Sequence, residues 1–374
     1  MRDALVRLIQ SEPDGVRSFA ARTGHSSSCR ASSDALFNDL ALKIYRYQFK
    51  RNLPYQRFCR LQKKTAEDVE RWEEIPLLPV TAFRSVDLAC RPVDDAVRIF
   101  HSSGTTGHSI GVSSGKGIGN YSRHYLFDPH IAQAAILSHF RRHLCVEKKM
   151  RLYILAPSPE EAPYSSLSYM LDVIRASHGT EESDYYIHRG RLLGEKLAYD
   201  LSEATEAVML LGTSFSFVHF IDFHQGHASP ITLPAGSQLM DTGGFKGKSR
   251  TVSRPWLYAV LEKRLGISPE YCVNEYGMSE MTSQFYNRGE GTAAYCAPPQ
   301  TRLKILSPET LQPVEKGEVG LLAFYDLANI DSVLALLTED LGRESDDGFE
   351  LIGRARDADQ KGCSIALDAL LEGL

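Results

Sequence analysis

His101-Ser102-Ser103-Gly104-Thr105-Thr106-Gly107-His108-Ser109 follows directly on Val97-Arg98-Ile99-Phe100, a short apolar run that reads as a strand. Two glycines bracket two threonines, with two serines just before them. Glycine lets the backbone fold so that successive N–H groups converge on an anion, and the hydroxyls add neutral donors. Polyphosphate is held well by such a density of donors, which grip each oxygen and leave phosphorus open to attack. A Walker loop needs GxxxxGK[ST]; Gly115-Lys116-Gly117 comes near it but does not match, and no GxGxxG dinucleotide loop is formed. The plain alternative is a Ser/Thr-rich surface turn, so the rest of the chain has to decide.

Outward from this loop, apolar strands alternate with helical stretches. Arg151–Ala156 reads as a buried strand, Ser166–Ser177 as a helix and Ala207–Leu211 as another strand. Upstream, Leu36, Phe37, Leu40, Ile44 and Tyr47 recur at helical spacing, predicting an amphipathic helix over Leu36–Phe58 with Asp34 as its N-cap. Ile75-Pro76-Leu77-Leu78-Pro79-Val80 predicts an extended connector, because proline lacks the amide donor and restricts its predecessor. Toward the end, Arg302–Leu306 and Val319–Tyr325 read as strands joined through a turn at Pro313–Gly317, and Ile365–Leu371 as a final short helix. The pattern predicts α/β layers with a β-rich end.

Composition narrows the function. The 374 residues carry 42 Lys+Arg against 47 Asp+Glu, a net charge of −5, which gives no general electrostatic reason to bind nucleic acid. The seven cysteines are odd in number and scattered, with no CxxC and no zinc spacing, so neither a disulfide framework nor a structural zinc site is expected. No run reaches membrane-spanning length and no signal peptide opens the chain, so the expectation is a reduced cytoplasmic protein without a membrane span. No GxSxG occurs, which disfavours a serine hydrolase.

SSGTTG closely resembles the phosphate loop of acyl-adenylate-forming (ANL) enzymes, and further motifs follow in the order that family requires. Asn274-Glu275-Tyr276-Gly277-Met278-Ser279-Glu280 resembles YGxTE, with serine for threonine. Thr338-Glu339-Asp340, then Asp347-Gly348-Phe349 and Gly353-Arg354, resemble TGD…DGY…GR. Asp241-Thr242-Gly243-Gly244 resembles the glycine-rich strand end that approaches adenine. The resemblance implies ATP and Mg²⁺. It assigns Ser102, Ser103, Gly104, Thr105, Thr106 and Gly107 to phosphate, Tyr276 (with Gly277) to adenine stacking, and Ser279 to the AMP phosphate. It gives Glu280 the metal and a catalytic part, Gly243 and Gly244 the adenine side, Asp340 the ribose and Arg354 the nucleotide from the hinge. An aromatic face for a base, a hydroxyl for phosphate and a hard oxygen for a hard cation suit these tasks.

Ile75–Phe83, Pro157-Ser158-Pro159 with Ser165–Met170, Leu211–Phe215, Thr242–Arg250 and Tyr325–Asn329 together resemble one branch, the LuxE-type acyl-protein synthetases. That resemblance implies activation of a carboxylic, fatty acid and acylation of a cysteine near the C-terminus, followed by delivery to a partner acyl reductase. The matching residue is Cys363 in Lys361-Gly362-Cys363-Ser364, and a thioester carrier needs an accessible thiolate on a mobile tether. The implied fold is α/β, the large N-terminal domain of an adenylate-forming enzyme. Layered αβ subdomains join a distorted barrel-like part, and the usual small C-terminal domain is lacking, since 374 − 354 = 20 residues follow Arg354. Residues 1–35 form an unassigned extension, 36–352 the core, and 353–374 a truncated hinge segment carrying Cys363. The lysine that the absent domain normally supplies needs a substitute; Lys246, Lys248 and Lys361 are candidates, with His101 and His108 beside the loop. Two alternatives stay open, a ligase that acylates coenzyme A and a non-catalytic scaffold. Phe215, Phe217 and Phe220 fit an acyl pocket and a plain core equally well.

Overall fold

The computed structural model describes residues 1–11, 27–102, 121–144, 148–225, 230–243, 252–287, 293–346 and 348–355. Helices α1 (Arg2–Gln10), α2 (Ser27–Arg51) and α3 (Leu53–Leu61) come first, then strand β1 (Leu78–Pro79). Strands β2 (Arg98–His101) and β3 (Arg123–Leu126) form an antiparallel pair, and α4 (Pro129–Leu144) follows. The alternating section holds β4 (Arg151–Leu155), α5 (Ser166–His178), β5 (Asp184–Tyr185), the hairpin β6 (Ile187–His188) and β7 (Arg191–Leu192), and α6 (Gly194–Ser202). It continues through β8 (Val208–Thr213), α7 (Ser214–Gln225), β9 (Gln238–Thr242), α8 (Arg254–Leu265) and β10 (Cys272–Tyr276). The β-rich end comprises β11 (Phe285–Asn287), β12 (Ala294–Cys296), β13 (Thr301–Leu306), β14 (Val319–Asp326), β15 (Ala335–Ser345) and β16 (Gly348–Arg354).

Twelve of these strands form one mixed sheet, in the order β13-β14-β15-β16-β12-β11-β10-β9-β8-β4-β5, with β1 parallel to β15. From β10 to β5 the neighbours are parallel; from β10 through β11 to β13 they are antiparallel. The expected β-rich end is therefore the antiparallel wing of the sheet whose other wing carries the helices. The pairing changes from parallel to antiparallel at β10, so the carboxyl ends of β9 and β10 lie where the two wings of the sheet meet.

The expected strands and α5 lie where the apolar runs put them. The first helix does not. α2 begins at Ser27, so Asp34 lies inside it and caps nothing; its carboxylate instead pairs with Arg302 at 2.6 Å. The helical run also breaks before Phe58. Asn52 caps a new helix by accepting the Tyr55 N–H at 3.2 Å, and Pro54, which has no amide to donate, sits in the first turn. The predicted Ile365–Leu371 helix lies outside the described residues.

The main core joins α1, α2, α3 and the antiparallel wing: Leu5, Leu8, Phe37, Ile44, Tyr276, Phe324, Leu336 and Phe349 are all buried in it. Two further clusters pack helices on the parallel wing. Phe217 and Phe220 of α7 are buried in one of them beside Tyr153 and Leu210, whereas Phe215 is half-buried with its ring 4.5 Å from that of His219. Cys59, Cys90 and Cys272 are buried and unpaired, as small apolar residues should be.

Candidate functional site

The site is assembled at the changeover of the sheet. β10 delivers Tyr276, and the chain then turns through Gly277 to Ser279 and Glu280. A side chain at Gly277 would place its Cβ 2.5 Å from Glu275 Oε1, so the Glu275 carboxylate would have to move away from its place to admit one. The Tyr276 ring is 7 % exposed and packs among Phe285, Tyr295, Phe324 and Phe349, with centroid separations of 5.8–6.1 Å. Its hydroxyl donates to Asp340 Oδ2 at 2.8 Å, and Arg354 Nε donates to the other carboxylate oxygen at 3.2 Å. Asp340 and Arg354 are register partners on β15 and β16. Three residues spread over 78 positions of sequence thus meet around one carboxylate.

A second contact ties this turn to the phosphate-type loop. Ser279 Oγ donates to the His101 carbonyl at 3.2 Å and lies 3.3 Å from Ser166 Oγ, at the N-terminus of α5. Ser102 is fixed to the start of β3 by Ser122, whose N–H reaches Ser102 Oγ at 3.2 Å. The Ser279 hydroxyl therefore stands where the loop leaves β2, beside a helix N-terminus whose dipole favours an anion. His101 holds this edge by stacking on Tyr164 at 4.5 Å, and burial with nearby Arg123 pushes its imidazole pKa down. Ser103, Gly104, Thr105, Thr106, Gly107, His108, Gly244, Lys246, Lys248, Lys361 and Cys363 lie outside the described residues.

The ionisable groups at the turn are unusual. Glu280 is buried, which raises its carboxyl pKa, while Ser122, Arg84 and Arg354 pull the other way. Mg²⁺ is ordinarily held by one or two carboxylates together with phosphate oxygens, and Glu280 is the hard oxygen donor that this turn supplies. Among the described residues no cluster of three or more His, Cys, Asp or Glu could hold a metal on its own. Glu275 points to the other face of β10, fully buried against the Thr242 hydroxyl, and desolvation raises it to about 7. His124, also buried and held down to about 4, is neutral and donates Nδ1–H to the Ser279 carbonyl at 2.6 Å.

Beneath the strand ends, Asp241 accepts from Ser214, from Tyr258 at 2.5 Å and from Asn274 at 2.9 Å, and Tyr295 donates to Asn274. Burial raises the Asp241 carboxyl despite these donors. The network holds β9 and β10 in register where Gly243 leaves the sheet with φ 76°. His124, Ser166, Asp241 and Arg84 were not foreseen as parts of the site. Ser166 and Asp241 stood inside motifs already singled out; His124 and Arg84 carried no signal, because only the tertiary fold brings them to the turn.

A family model described as "Acyl-protein synthetase, LuxE" matches residues 166–372. Over 354 residues the chain is 21% identical to a long-chain-fatty-acid–luciferin-component ligase of Vibrio harveyi, covering 89% of this chain and 87% of that one. A protein of the same description from Aliivibrio fischeri is 20% identical over 356 residues, at 89% and 88% coverage. Among solved structures, an open conformation of 2-hydroxyisobutyryl-CoA ligase, in complex with 2-HIB-AMP and CoA, superposes with a TM-score of 0.67. Its identity is 13%, over 93% of this chain and 78% of the other, and at that level the likeness speaks for the fold alone. The expected α/β class is borne out, in a fold like that of this CoA ligase and built on one large mixed sheet. Among the described residues no helix is long and apolar enough to cross a membrane.

Proposed function

The chain belongs to the LuxE acyl-protein synthetase family, and from that premise we propose that it activates a long-chain fatty acid with ATP and passes the acyl group to its own Cys363. The observation that carries the reading is the meeting of Tyr276, Asp340 and Arg354, with Ser279 braced against the carbonyl that opens the loop. In this reading ATP is the co-substrate that turns the acid into a mixed anhydride with AMP and releases pyrophosphate. Asp340, already accepting two hydrogen bonds, offers its remaining lone pairs to ribose hydroxyls. Arg354 keeps that carboxylate oriented by its hydrogen bond to Oδ1. Ser279 and the loop from Ser102 grip phosphate oxygens with neutral donors, and Glu280 would hold Mg²⁺, which would supply positive charge to the phosphates. The acyl group then leaves AMP for the Cys363 thiolate, an intramolecular attack favoured by the tether. From the thioester it goes to a partner acyl reductase.

The test pairs two assays on the intact chain. Acid-dependent exchange of pyrophosphate into ATP is expected with long-chain fatty acids in preference to aromatic ones. Hydroxylamine-labile acyl labelling is expected in the unmodified chain and lost in Cys363→Ser, with exchange retained. Labelling that survives Cys363→Ser would move the acceptor elsewhere; acyl-CoA formed on adding coenzyme A, with no self-labelling, would make the thiol a diffusible one.

A further inference from the structure

The stretch Ile75–Phe83 stands out in the sequence yet has no part in the site described so far, and the fold shows where it leads. β1 runs parallel to β15, with Leu78 beside Leu336 and Pro79 beside Leu337, and a 3-10 turn over Val80–Arg84 follows at once. Ala82 and Phe83 are buried and anchor that turn. The Phe83 ring meets the His124 ring edge-on, with centroids 6.0 Å apart, and His124 donates to the Ser279 carbonyl at 2.6 Å. Arg84 therefore leaves the turn beside the Ser279–Glu280 segment.

The charges around Arg84 are unbalanced. Arg354 bears on the Glu280 carboxyl too, but Asp340 holds it at 3.2 Å; Arg123, next to His124 in the chain, is held by Asp87 at 2.8 Å. Arg84 is half-buried, and among the described residues it closes no ion pair, although its charge opposes the upward pull that burial exerts on the Glu280 carboxyl. Ser122 is fully buried at the same carboxyl, and its hydroxyl finds no hydrogen-bond partner, while its N–H holds Ser102 Oγ at 3.2 Å. A guanidinium without a protein acceptor, set among serine hydroxyls, is a seat for an oxyanion, because its planar fork of donors matches two phosphate oxygens.

We propose that Arg84 binds the β- and γ-phosphates of ATP and steadies pyrophosphate as it leaves, a role that rests on the ligase reading above. As the acid's carboxylate oxygen bonds to the α-phosphorus, the bond from that phosphorus to the bridging oxygen breaks. Pyrophosphate takes the electron pair and no proton has to move. Negative charge gathers on the leaving oxygens at that moment, and a guanidinium fixed by the turn behind it meets that charge without reorganising.

Calorimetric titration of the full chain with ATP and with AMP tests this, with no fatty acid present and each ligand run once with Mg²⁺ and once with EDTA. Arg84→Gln is expected to weaken ATP about tenfold or more in both media, and AMP by less than about twofold. Arg84→Lys keeps the charge but not the fork, and should recover part of the ATP affinity. AMP binding serves as the folding control for each variant. Unchanged ATP binding in Arg84→Gln would make Arg84 a solvated side chain only, and overturns the proposal. A loss confined to Mg²⁺ also overturns it, since Arg84 would then act as a counter-ion through Glu280. Should Arg84→Gln lose both ligands, Arg84→Lys decides: a loss confined to ATP upholds the proposal and an equal loss overturns it. The unmodified chain checks the premise. Absence there of both ATP binding and pyrophosphate exchange would sink the ligase reading and the role of Arg84 with it, whereas parental binding with an indifferent Arg84→Gln sinks the role alone.

Discussion

Tyr276 serves packing with its ring and the site with its hydroxyl, and the two parts can be separated. Tyr276→Phe keeps the ring among Phe285, Phe324 and Phe349 but removes the donor to Asp340. A hydrogen bond to a charged group contributes about 1.5–3 kcal/mol. The expected outcome is a KM for ATP raised roughly tenfold or more in the exchange assay, with a melting temperature within a few degrees of the parent. An equal loss of both would mean that the hydroxyl is structural only. Glu275 gives a prediction in pH. Its carboxyl is raised to about 7 in the folded state by burial, against about 4.3 for an exposed glutamate. Below the lower value both states are protonated and nothing is lost. As pH rises toward 7 the unfolded chain releases the proton first, so stability falls through that window and stays lower above it. Glu275→Gln cannot titrate, so its stability relative to the parent should improve by about 2–3 kcal/mol between pH 5 and pH 8 in urea titrations. A constant difference across that range would place the Glu275 carboxyl at an ordinary value.

At the scale of elements, Gln48 is a buried polar tie from α2 to the segment between β14 and β15. Gln48, fully buried, donates to the Asn329 and Ile330 carbonyls at 2.8 and 3.2 Å and accepts from the Leu334 N–H at 3.1 Å. Asn329 in turn holds the Glu280 carbonyl at 2.9 Å and receives two hydrogen bonds from Thr282. Gln48→Leu fills much the same space but strands a buried N–H and two carbonyls. It should cost roughly 3 kcal/mol, seen as a lower urea midpoint with an unchanged slope. The sequence shows why such a residue escapes notice: a polar residue among helical apolar positions reads as a solvent-facing one. The strands were legible because each is a short apolar run whose local pattern survives in the fold. The start of α2 was not, since Asp34 is as good an N-cap by type as Asn52, and only the ion pair with Arg302 shows where its carboxylate goes. Nor was the continuity of the sheet legible, because pairing β12 with β16 joins residues more than 50 positions apart. The motif residues Tyr276, Ser279, Asp340 and Arg354 were picked out by type and order, whereas their mutual contacts depend on that pairing.

For the whole molecule, the first eleven residues show how much a stretch without any motif can contribute. Leu5, Leu8 and Ile9 of α1 are 0–4 % exposed and belong to the core that holds Tyr276. Burying three such side chains stabilises by roughly 5–8 kcal/mol, comparable with the entire stability of many proteins. Removing residues 1–11 should therefore give a chain that aggregates or binds hydrophobic dye, rather than a folded enzyme with altered kinetics. The polar part of the same tie can be tested without exposing the core. Arg2 bridges Asp128 at 2.7 Å and Asp331 at 2.6 Å, and Asp331 is nearly buried, with Tyr47 donating to its other oxygen at 2.8 Å. Arg2→Met keeps the apolar stem and leaves Asp331 without its cation. That loss should cost about 2 kcal/mol, between an exposed pair and a fully buried one. Adding Asp331→Asn to it removes the stranded charge, so the double variant should be more stable than Arg2→Met alone. Additive losses in that cycle would mean that α1 is held by its leucines only and that the ion pair is incidental.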